Sequence, residues 1–351
     1  MRDLENLSSR RVLLVCQDNL GDLVFASAIA AALRDSGDSV SLDVLARPDT
    51  GAISRFMPGV ERVHAVPSLV AINPLQHWAR FRAFLNARKV LAAERYDVVF
   101  LVGKNWRLGW LVKLAGIPVR VGYAYPKLKK FLTHAAPLPS RQQPVVPALM
   151  TLLEALGETG RSAHYVLDSV KVAAARTQAD SLPGQRPGTA GPWVGLHAFA
   201  GSPTRCVPLD VWRDFAQALS DAGMQVVWFG VARELQRLRD LDAPGLYGDA
   251  LGDGSLDSTI GLLANCQAYA GHDSGVLHIA SACGLRTLGV FAPGEPHRTF
   301  AQGPGGGDTL YRASPSEIDR DTLLHAFSAC FPALMAGRQS LSVSATGAPG
   351  T

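Results

Sequence analysis

The chain has 351 residues, more than the ~250–300 that a single hydrophobic core serves, so two domains of similar size are expected. Its 47% hydrophobic and 18% charged residues exclude a disordered, collagen-like or disulfide-scaffold protein. With 34 Lys and Arg against 30 Asp and Glu, the net charge of +4 is too small to indicate a nucleic-acid partner.

The beginning of the chain is polar and carries no apolar segment of the kind that directs secretion. The longest early apolar run, residues 24–33, is too short to cross a bilayer. The five cysteines, an odd number without a C-x-x-C pair, indicate reduced thiols and no zinc site. The sequence therefore predicts a cytoplasmic protein.

Short apolar runs alternate with helical patterns through the first half of the chain, which is typical of a parallel sheet covered by helices. Strands are predicted at residues 12–16, 40–45, 62–66, 98–102 and 119–122. Helices are predicted at residues 23–34, 75–93 and 146–156. Because the strands are apolar almost throughout, both faces of the sheet should be buried.

The middle of the chain changes character. Residues 182–192 are dominated by Gly and Pro, so a linker is predicted over 169–192, with a hinge for domain closure at 182–192. The alternation then resumes, with strands at 193–197, 225–229, 268–271 and 287–291, and helices at 211–222, 233–240, 256–265, 276–283 and 319–331. The predicted organisation is an N-terminal domain over 1–168, a C-terminal domain over 193–336 and a flexible tail over 337–351.

The predicted fold class is α/β, with two Rossmann-like, doubly wound parallel sheets that face each other across a cleft. Ligands of such sheets bind at the carboxyl ends of the strands. A dinucleotide would require G-x-G-x-x-G directly after a strand, and neither half supplies that motif. A dehydrogenase is therefore disfavoured.

A pair of carboxylates follows the first predicted strand. Asp18 and Asp22 belong to the segment Gln-Asp-Asn-Leu-Gly-Asp, in which Gly21 allows a tight turn into the helix. Asp22 would either stabilise the helix N-terminus, by ~0.5–2 kcal/mol, or act as a general base toward a hydroxyl nucleophile. The residues alone do not decide between the two roles.

In the second half, the strand predicted at 268–271 leads directly into a helix through Gly-His-Asp-Ser-Gly-Val-Leu-His. Backbone N–H groups and the helix dipole at Ser274 and Gly275 would suit a phosphate or diphosphate, whereas Asp273 would suit a sugar hydroxyl. The alternative is an ordinary Ser or Asp helix cap, with His278 on the helix surface.

Two further loops follow strands of the second half. Thr204 and Arg205 offer a hydroxyl and a permanent cation, and arginine suits bidentate contact with phosphate. Glu234 stands near the start of the next helix, where it would reach the two hydroxyls of a ribose. The alternatives are a solvated arginine and a carboxylate that simply favours a helix N-terminus.

In this order and spacing, the four segments resemble glycosyltransferase family 9, the bacterial lipopolysaccharide heptosyltransferases of the two-domain GT-B type. The resemblance rests on the first strand with Gly21 and Asp22 and on residues 256–296 around the Asp-Ser-Gly-x-x-His helix start. It extends from about residue 10 to residue 331. Where the family usually has Thr-Lys-x-Trp-Pro, this chain has Thr-Arg-Cys-Val-Pro, so Arg205 and Val207 depart from the pattern.

The resemblance implies an inverting, metal-independent glycosyltransferase that moves a heptose or a related sugar from a nucleoside-diphosphate donor to an inner-core lipopolysaccharide or similar glycan. ADP-heptose is the donor that the resemblance favours. It implies no cofactor, and it makes Asp22 the catalytic base. The implied donor contacts are Thr204, Arg205, Glu234, Asp273, Ser274, Gly275 and His278.

Without a metal, Arg205 and the helix start at Ser274 and Gly275 would stabilise charge on the departing diphosphate. The Asp-x-Asp triplets of the chain begin at Asp240 and Asp319, on predicted charged helices away from strand ends. They are therefore interpreted as solvated faces and not as metal ligands.

The N-terminal domain is predicted to bind the acceptor. Its basic residues, placed in loops or at loop ends, would suit a lipid-anchored anionic oligosaccharide, and its aromatic residues would suit peripheral contact with the inner membrane. A soluble basic surface and ordinary helix packing are the alternatives. The predicted acceptor contacts are Asp18, Lys104, Arg107, Arg120 and Lys127, with Arg47, Lys129 and Lys130 in the same half. The aromatic residues are Trp78, Phe81, Trp106 and Trp110.

Two other classes of protein would share a nucleotide-sugar site on this fold. A nucleotide-sugar epimerase would turn over the donor alone and would need no acceptor pocket. A non-catalytic nucleotide-sugar sensor would bind the donor and tolerate loss of Asp22.

Overall fold

The computed structural model describes residues 7, 9–35, 40–69, 77–160, 164–180, 191–251 and 254–336. The chain divides into two compact units, Met1–Asp168 and Ser169–Thr351. Each unit contains a six-stranded sheet in which every paired strand is parallel to its neighbour. The predicted α/β class with two Rossmann-like sheets is confirmed.

The first unit forms a sheet with the order β3-β2-β1-β4-β5-β6. Its strands are β1 (Arg11–Val15), β2 (Ser41–Ala46), β3 (Val60–Ala65), β4 (Val98–Leu101), β5 (Val119–Tyr123) and β6 (His134–Ala136). Its helices are α1 (Leu20–Asp35), α2 (His77–Glu94), α3 (Trp106–Leu114) and α4 (Val145–Glu154). All four residues of β4 and the last four of β1 are buried, as expected for central strands covered on both faces.

The second unit forms a sheet with the order β12-β11-β10-β7-β8-β9. Its strands are β7 (Trp193–His197), β8 (Gln225–Trp228), β9 (Leu246–Tyr247), β10 (Ala268–His272), β11 (Thr287–Phe291) and β12 (Gly307–Tyr311). Its helices are α5 (Ser169–Asp180), α6 (Leu209–Asp221), α7 (Ala232–Arg239), α8 (Gly248–Leu251), α9 (Leu256–Asn265), α10 (Gly275–Ala282), α11 (Pro296–Thr299) and α12 (Arg320–Cys330).

Both sheets have the same strand order when each is counted from its own first strand: third, second, first, fourth, fifth, sixth. In such a sheet the strand order reverses between the first and fourth strands, and ligands bind in the crevice outside the carboxyl ends of these two strands. The crevice lies between β1 and β4 in the first unit and between β7 and β10 in the second. Asp18 and Asp22 follow β1, and Asp273 and Ser274 follow β10, so these predicted site residues lie at the two crevices.

The segment predicted as a linker begins with a helix. Residues 169–180 form α5, which packs on α9 and belongs to the second unit. The packing is close because Gly261 has no side chain: a Cβ there would lie 2.9 Å from the Cβ of Ala179. Arg176 also donates a hydrogen bond to the side-chain oxygen of Asn265 at 2.9 Å. Most of the predicted hinge, residues 182–190, and the predicted tail, 337–351, lie outside the described residues.

Candidate active site

Three loops of the second unit meet at the carboxyl edge of its sheet. They follow β7, β8 and β10, and β7 is hydrogen-bonded to both of the other two strands. The predicted donor contacts all lie on these loops or on the first turns of the helices that follow them. The strand order therefore brings together residues that are up to 74 positions apart in sequence, from Thr204 to His278.

Asp273 joins two of the predicted donor contacts. Its carboxylate lies 3.3 Å from the guanidinium of Arg205 and 3.4 Å from Nε2 of His278. His278 is buried and not on the helix surface, so the alternative interpretation of this residue is wrong. Arg205 offsets the negative charge of Asp273. The carboxylate therefore repels an anionic ligand at this helix start less strongly.

Ser274 occupies the N-cap position of α10, but its side chain makes no capping hydrogen bond. Its hydroxyl lies instead 3.1 Å from Nδ1 of His197, the last residue of β7. The predicted alternative of an ordinary serine cap is therefore wrong. Because the hydroxyl is directed to His197, the first N–H groups of α10 have no side-chain cap from Ser274.

Glu234 stands in the first turn of α7 and accepts a hydrogen bond from the backbone N–H of Val231 at 3.0 Å. The same carboxylate oxygen lies 3.7 Å from Nε2 of His197. Burial opposes ionisation of Glu234, but His197 and the Val231 N–H outweigh it and lower the pKa of this carboxyl. Glu234 is therefore an anion that stabilises the start of α7, the alternative role that the sequence left open, and its remaining lone pairs can accept hydrogen bonds from hydroxyl groups.

A cavity of about 460 Å³ opens beside Glu234. Its walls come from the loop after β7 and from the first turns of α6 and α7. Thr204 lies on this loop, in the exposed 3₁₀ turn Pro203–Arg205, where its hydroxyl is 2.9 Å from that of Ser202. The lining residues are Phe199, Ala200, Gly201, Pro203, Cys206, Val207, Pro208, Leu209, Arg233, Glu234 and Arg237.

His272 fixes this loop to the sheet, a role that sequence reasoning missed. Its Nε2 accepts hydrogen bonds from the backbone N–H of Val207 at 3.1 Å and from the indole N–H of Trp212 at 3.3 Å. Nδ1 faces the carbonyl of Val290 at 3.2 Å, so the proton lies on Nδ1. Burial lowers the pKa of His272 to about 4, which keeps the ring neutral and able to accept both bonds.

We expect His272 to make stability pH-dependent. Because its folded pKa of about 4 lies below the ordinary 6.5, its contribution is present above pH 6.5 and is lost as the pH falls toward 4. Between pH 7 and pH 5 this amounts to about 2 kcal/mol. A His272→Gln variant retains an acceptor but does not titrate, so its unfolding free energy in urea should fall by about 2 kcal/mol less. Equal pH dependence in the two proteins would contradict the assignment.

In the first unit, Asp22 lies in the first turn of α1 and accepts a hydrogen bond from the backbone N–H of Asn19 at 3.0 Å. This contact is the helix-stabilising role that the sequence left open. Asp18 lies against the loop after β4, where a Cβ at Gly103 would come within 2.5 Å of its carboxylate. Burial and the neighbouring Asp22 raise the pKa of Asp18, against the opposing effect of Arg47 and Lys104.

The predicted basic acceptor contacts are not equivalent. Lys104 and Lys127 are exposed in loops, as expected. Arg107 lies on α3, where its guanidinium stacks over the Trp106 ring at 4.8 Å. Arg120 lies on β5, and its guanidinium donates to the carbonyls of Ile117, Pro118 and Phe131 at 2.6–3.0 Å. The placement of Arg107 and Arg120 in loops or at loop ends is therefore corrected, and Arg120 already has structural partners.

Neither Asp-x-Asp triplet lies at a strand end. Asp240 follows α7 and accepts a hydrogen bond from the side chain of Gln236 at 2.8 Å. Asp319 caps α12 and accepts from the backbone N–H of Thr322 at 2.8 Å. Both carboxylates therefore accept hydrogen bonds at the end of a helix.

The chain is similar to known proteins both in sequence and in fold. Residues 84–306 match the family described as glycosyltransferase family 9 (heptosyltransferase). The chain is 21% identical over 317 residues to lipopolysaccharide heptosyltransferase 2 of Escherichia coli, covering 82% of this chain and 84% of the relative. It is 26% identical over 304 residues to lipopolysaccharide heptosyltransferase 1 of Pseudomonas aeruginosa, covering 84% and 81%. The solved E. coli ADP-heptose LPS heptosyltransferase II superposes with a TM-score of 0.73 at 19% identity, over 91% of this chain and 98% of that one.

The protein is a glycosyltransferase whose two sheets match those of GT-B heptosyltransferases. The chain belongs to glycosyltransferase family 9, because the family match covers more than half of its length.

Proposed function

We propose that the protein transfers a heptose from ADP-heptose to the inner core of a lipopolysaccharide or a similar glycan, with inversion at the anomeric carbon. The second unit binds the donor and the first unit binds the acceptor. Two relatives named above are lipopolysaccharide heptosyltransferases, and the solved neighbour carries ADP-heptose in its name. Nucleotide sugar and glycan acceptor are the only substrates, and the proposal includes no cofactor.

The donor assignment is supported mainly by one observation: anionic and cationic groups lie together at the carboxyl edge of the second sheet. Glu234 offers an anionic acceptor beside the 460 Å³ cavity, as a ribose requires. Arg205 offers a cation, and α10 begins at Gly275 without a side-chain cap. These groups suit a nucleoside and a diphosphate, respectively.

In the proposed reaction, an acceptor hydroxyl attacks the anomeric carbon of the heptose from the face opposite the diphosphate. The new glycosidic C–O bond forms as the anomeric C–O bond to phosphate breaks, and ADP leaves with that electron pair. Asp22 takes the proton of the hydroxyl. Arg205 and the N–H groups of Ser274 and Gly275 stabilise the charge that develops on the leaving diphosphate. Asp273 and His278 contact the transferred sugar.

The first unit supports acceptor binding through its charge distribution. From Val98 to Leu153 the chain carries eight Lys or Arg and no Asp or Glu. Asp18, Lys104, Arg107 and Lys127 are the proposed contacts, and the first two flank the crevice between β1 and β4. A cationic surface of this kind suits the phosphates and carboxylates of an anionic oligosaccharide.

The test is a transfer assay with ADP-heptose and a heptose-deficient lipopolysaccharide, with and without EDTA. We expect ADP release coupled to a heavier acceptor, a product of inverted anomeric configuration, and a rate unchanged by EDTA. Turnover of ADP-heptose to an epimer without acceptor would contradict the proposal, and so would an EDTA-sensitive rate that Mg²⁺ restores.

We further propose that the protein is cytoplasmic and contacts the inner membrane peripherally, since its acceptor is lipid-anchored. Among the described residues, no helix is both long enough and apolar enough to cross a bilayer. Helices α2 and α3 instead carry large apolar side chains on the surface, with Trp78 77% exposed. The α2–α3 aromatic face comprises Trp78, Phe81, Leu85, Trp110 and Leu114.

Helices α2 and α3 pack against each other, so their exposed apolar side chains belong to one surface. The rings of Phe84 and Trp110 lie 4.9 Å apart, and Arg88 donates to the carbonyl of Leu114 at 3.2 Å. Exposed cations border the face, among them Arg82 and Lys89, and α2 contains no acidic residue before Glu94. Aromatic side chains surrounded by cations suit the interface of an anionic bilayer.

A double variant, Trp78→Ala with Phe81→Ala, should bind vesicles of phosphatidylcholine and phosphatidylglycerol at least about tenfold more weakly than the unchanged protein. Binding should also weaken with salt, since the cations are screened. Tyr311→Ala, which removes an exposed aromatic residue from β12, is the matched control and should bind normally. Flotation at low salt measures the effect, and absence of the unchanged protein from the vesicle fraction would contradict membrane contact.

A further inference from the structure

His197 contacts two of the proposed donor contacts and has no role in the reaction described above. It ends β7, the strand next to the crevice of the second sheet, and is only 5% exposed. We infer that His197 is a positioning residue that sets the distance between the diphosphate contact at Ser274 and the ribose contact at Glu234. This inference rests on the proposed donor site.

The first contact concerns the helix start. A serine at an N-cap ordinarily accepts a hydrogen bond from an N–H group of its own helix, but Ser274 does not. Its hydroxyl is 3.1 Å from Nδ1 of His197. His197 thus keeps the serine oxygen away from the N–H groups of α10, and these groups stay available to a phosphate. If the contact were lost, the serine would turn back and cap its helix.

The second contact concerns the carboxylate. Nε2 of His197 lies 3.7 Å from the oxygen of Glu234 that also accepts the Val231 N–H. A proton on Nε2 is attracted to this carboxylate, whereas a lone pair there would be repelled. Nδ1 is then the acceptor, and the hydroxyl of Ser274 donates to it. With a proton on Nε2 and a lone pair on Nδ1, the ring faces Glu234 and accepts from Ser274 at the same time.

The two contacts come from different loops, after β8 and after β10, and the end of β7 lies between them. A rigid ring at the end of a central strand can hold both loops at a fixed separation. The edge of the His197 ring also packs against Phe199, with centroids 5.9 Å apart, which restricts its rotation. A preorganised separation of the two subsites reduces the ordering cost of binding a nucleoside diphosphate.

Two substitutions of His197 test its two contacts one at a time. His197→Asn places a polar atom near the position of Nδ1, so it keeps the link to Ser274 and loses the link to Glu234. His197→Gln reaches the position of Nε2, so it keeps the link to Glu234 and frees Ser274. Calorimetric titration of the full chain with adenosine, AMP and ADP measures the nucleoside affinity and the gain in affinity from each phosphate.

For His197→Asn we expect adenosine affinity to fall about tenfold while the gain from AMP to ADP stays at the wild-type value. For His197→Gln we expect the reverse: adenosine affinity is retained and the AMP-to-ADP gain falls about tenfold. Val170→Ala, at a residue 74% exposed on α5, is the control and should change neither quantity. Thermal unfolding of each variant confirms that the fold is retained.

A general structural role would weaken both quantities in both variants, and that result would overturn the inference. Unchanged affinities in both variants would also overturn it. Failure of the unchanged protein to bind ADP would refute the donor proposal itself, together with this inference. Normal ADP binding without the crossed pattern would refute the role of His197 alone.

Discussion

Replacing Asp22 with Asn should lower the turnover number of heptose transfer by about 10²–10⁴-fold, the usual contribution of a general base. Asn keeps an oxygen that can accept the Asn19 N–H, so the start of α1 should remain intact. The affinity for ADP should not change, because the proposed donor contacts belong to the second unit. Transfer kinetics and ADP titration on the same preparation measure the two effects.

Asp35→Asn is the matched control for this variant. Asp35 is the exposed last residue of α1, the helix whose first turn holds Asp22, so the same chemical change is made on the same helix but away from the proposed site. We expect it to transfer at nearly the wild-type rate. If Asp22→Asn also transfers at that rate, Asp22 only supports its helix and is not the base.

Replacing Arg205 with Ala should lower turnover by about 10²–10³-fold, since a preorganised cation at the leaving group is lost. The loss of turnover should exceed the effect of removing one positive charge. Without the guanidinium at 3.3 Å, the negative charge of Asp273 would stand unpaired beside the diphosphate. Adding Asp273→Asn to Arg205→Ala should therefore restore part of the ADP affinity. ADP titration of the single and double variants forms the cycle that measures this coupling.

Two further variants define what Arg205 contributes. Arg205→Lys keeps a cation at this position and should retain most of the activity. Arg213→Ala removes a partly exposed arginine of α6 that pairs with its neighbour Asp214 at 2.8 Å, and should have no effect on transfer. Wild-type turnover in Arg205→Ala would show that the helix start stabilises the diphosphate without it.

The central strands of both sheets could be predicted from the sequence because they are buried on both faces and therefore apolar throughout. Three strands were missed, β6, β9 and β12, and all three are at or near sheet edges. In β12 only Leu310 is buried, so its sequence has no continuous apolar run. Helix α3 was also missed, although Asn105 caps it and provides the usual signal at a helix start.

The linker prediction gave composition too much weight. Only residues from 182 onward are rich in Gly and Pro, whereas the residues before them are rich in alanine and form α5. What places α5 in the second unit is its contact with α9, and such a tertiary contact has no local sequence signal.

Of the site, the residues at strand ends could be predicted from the rule that parallel sheets bind ligands there. The roles of two histidines, His197 and His272, were missed. His197 reads as the last residue of a buried strand, and His272 lies one residue beyond the predicted strand 268–271, in the connection to the helix. A histidine at the last position of two strands in one unit is the available signal. Which atoms they face depends on the pairing of β7 with β10, which only the folded chain supplies.

In the proposed mechanism the two substrates bind to different units, which has a consequence for how specificity can evolve. The proposed donor site is built from loops that follow β7, β8 and β10 of the second unit, and no proposed donor contact lies before Ser169. Mutations that change acceptor choice can therefore accumulate in the first unit without disturbing nucleotide recognition. New glycan specificities can arise in such a chain by drift in one half while selection preserves the other.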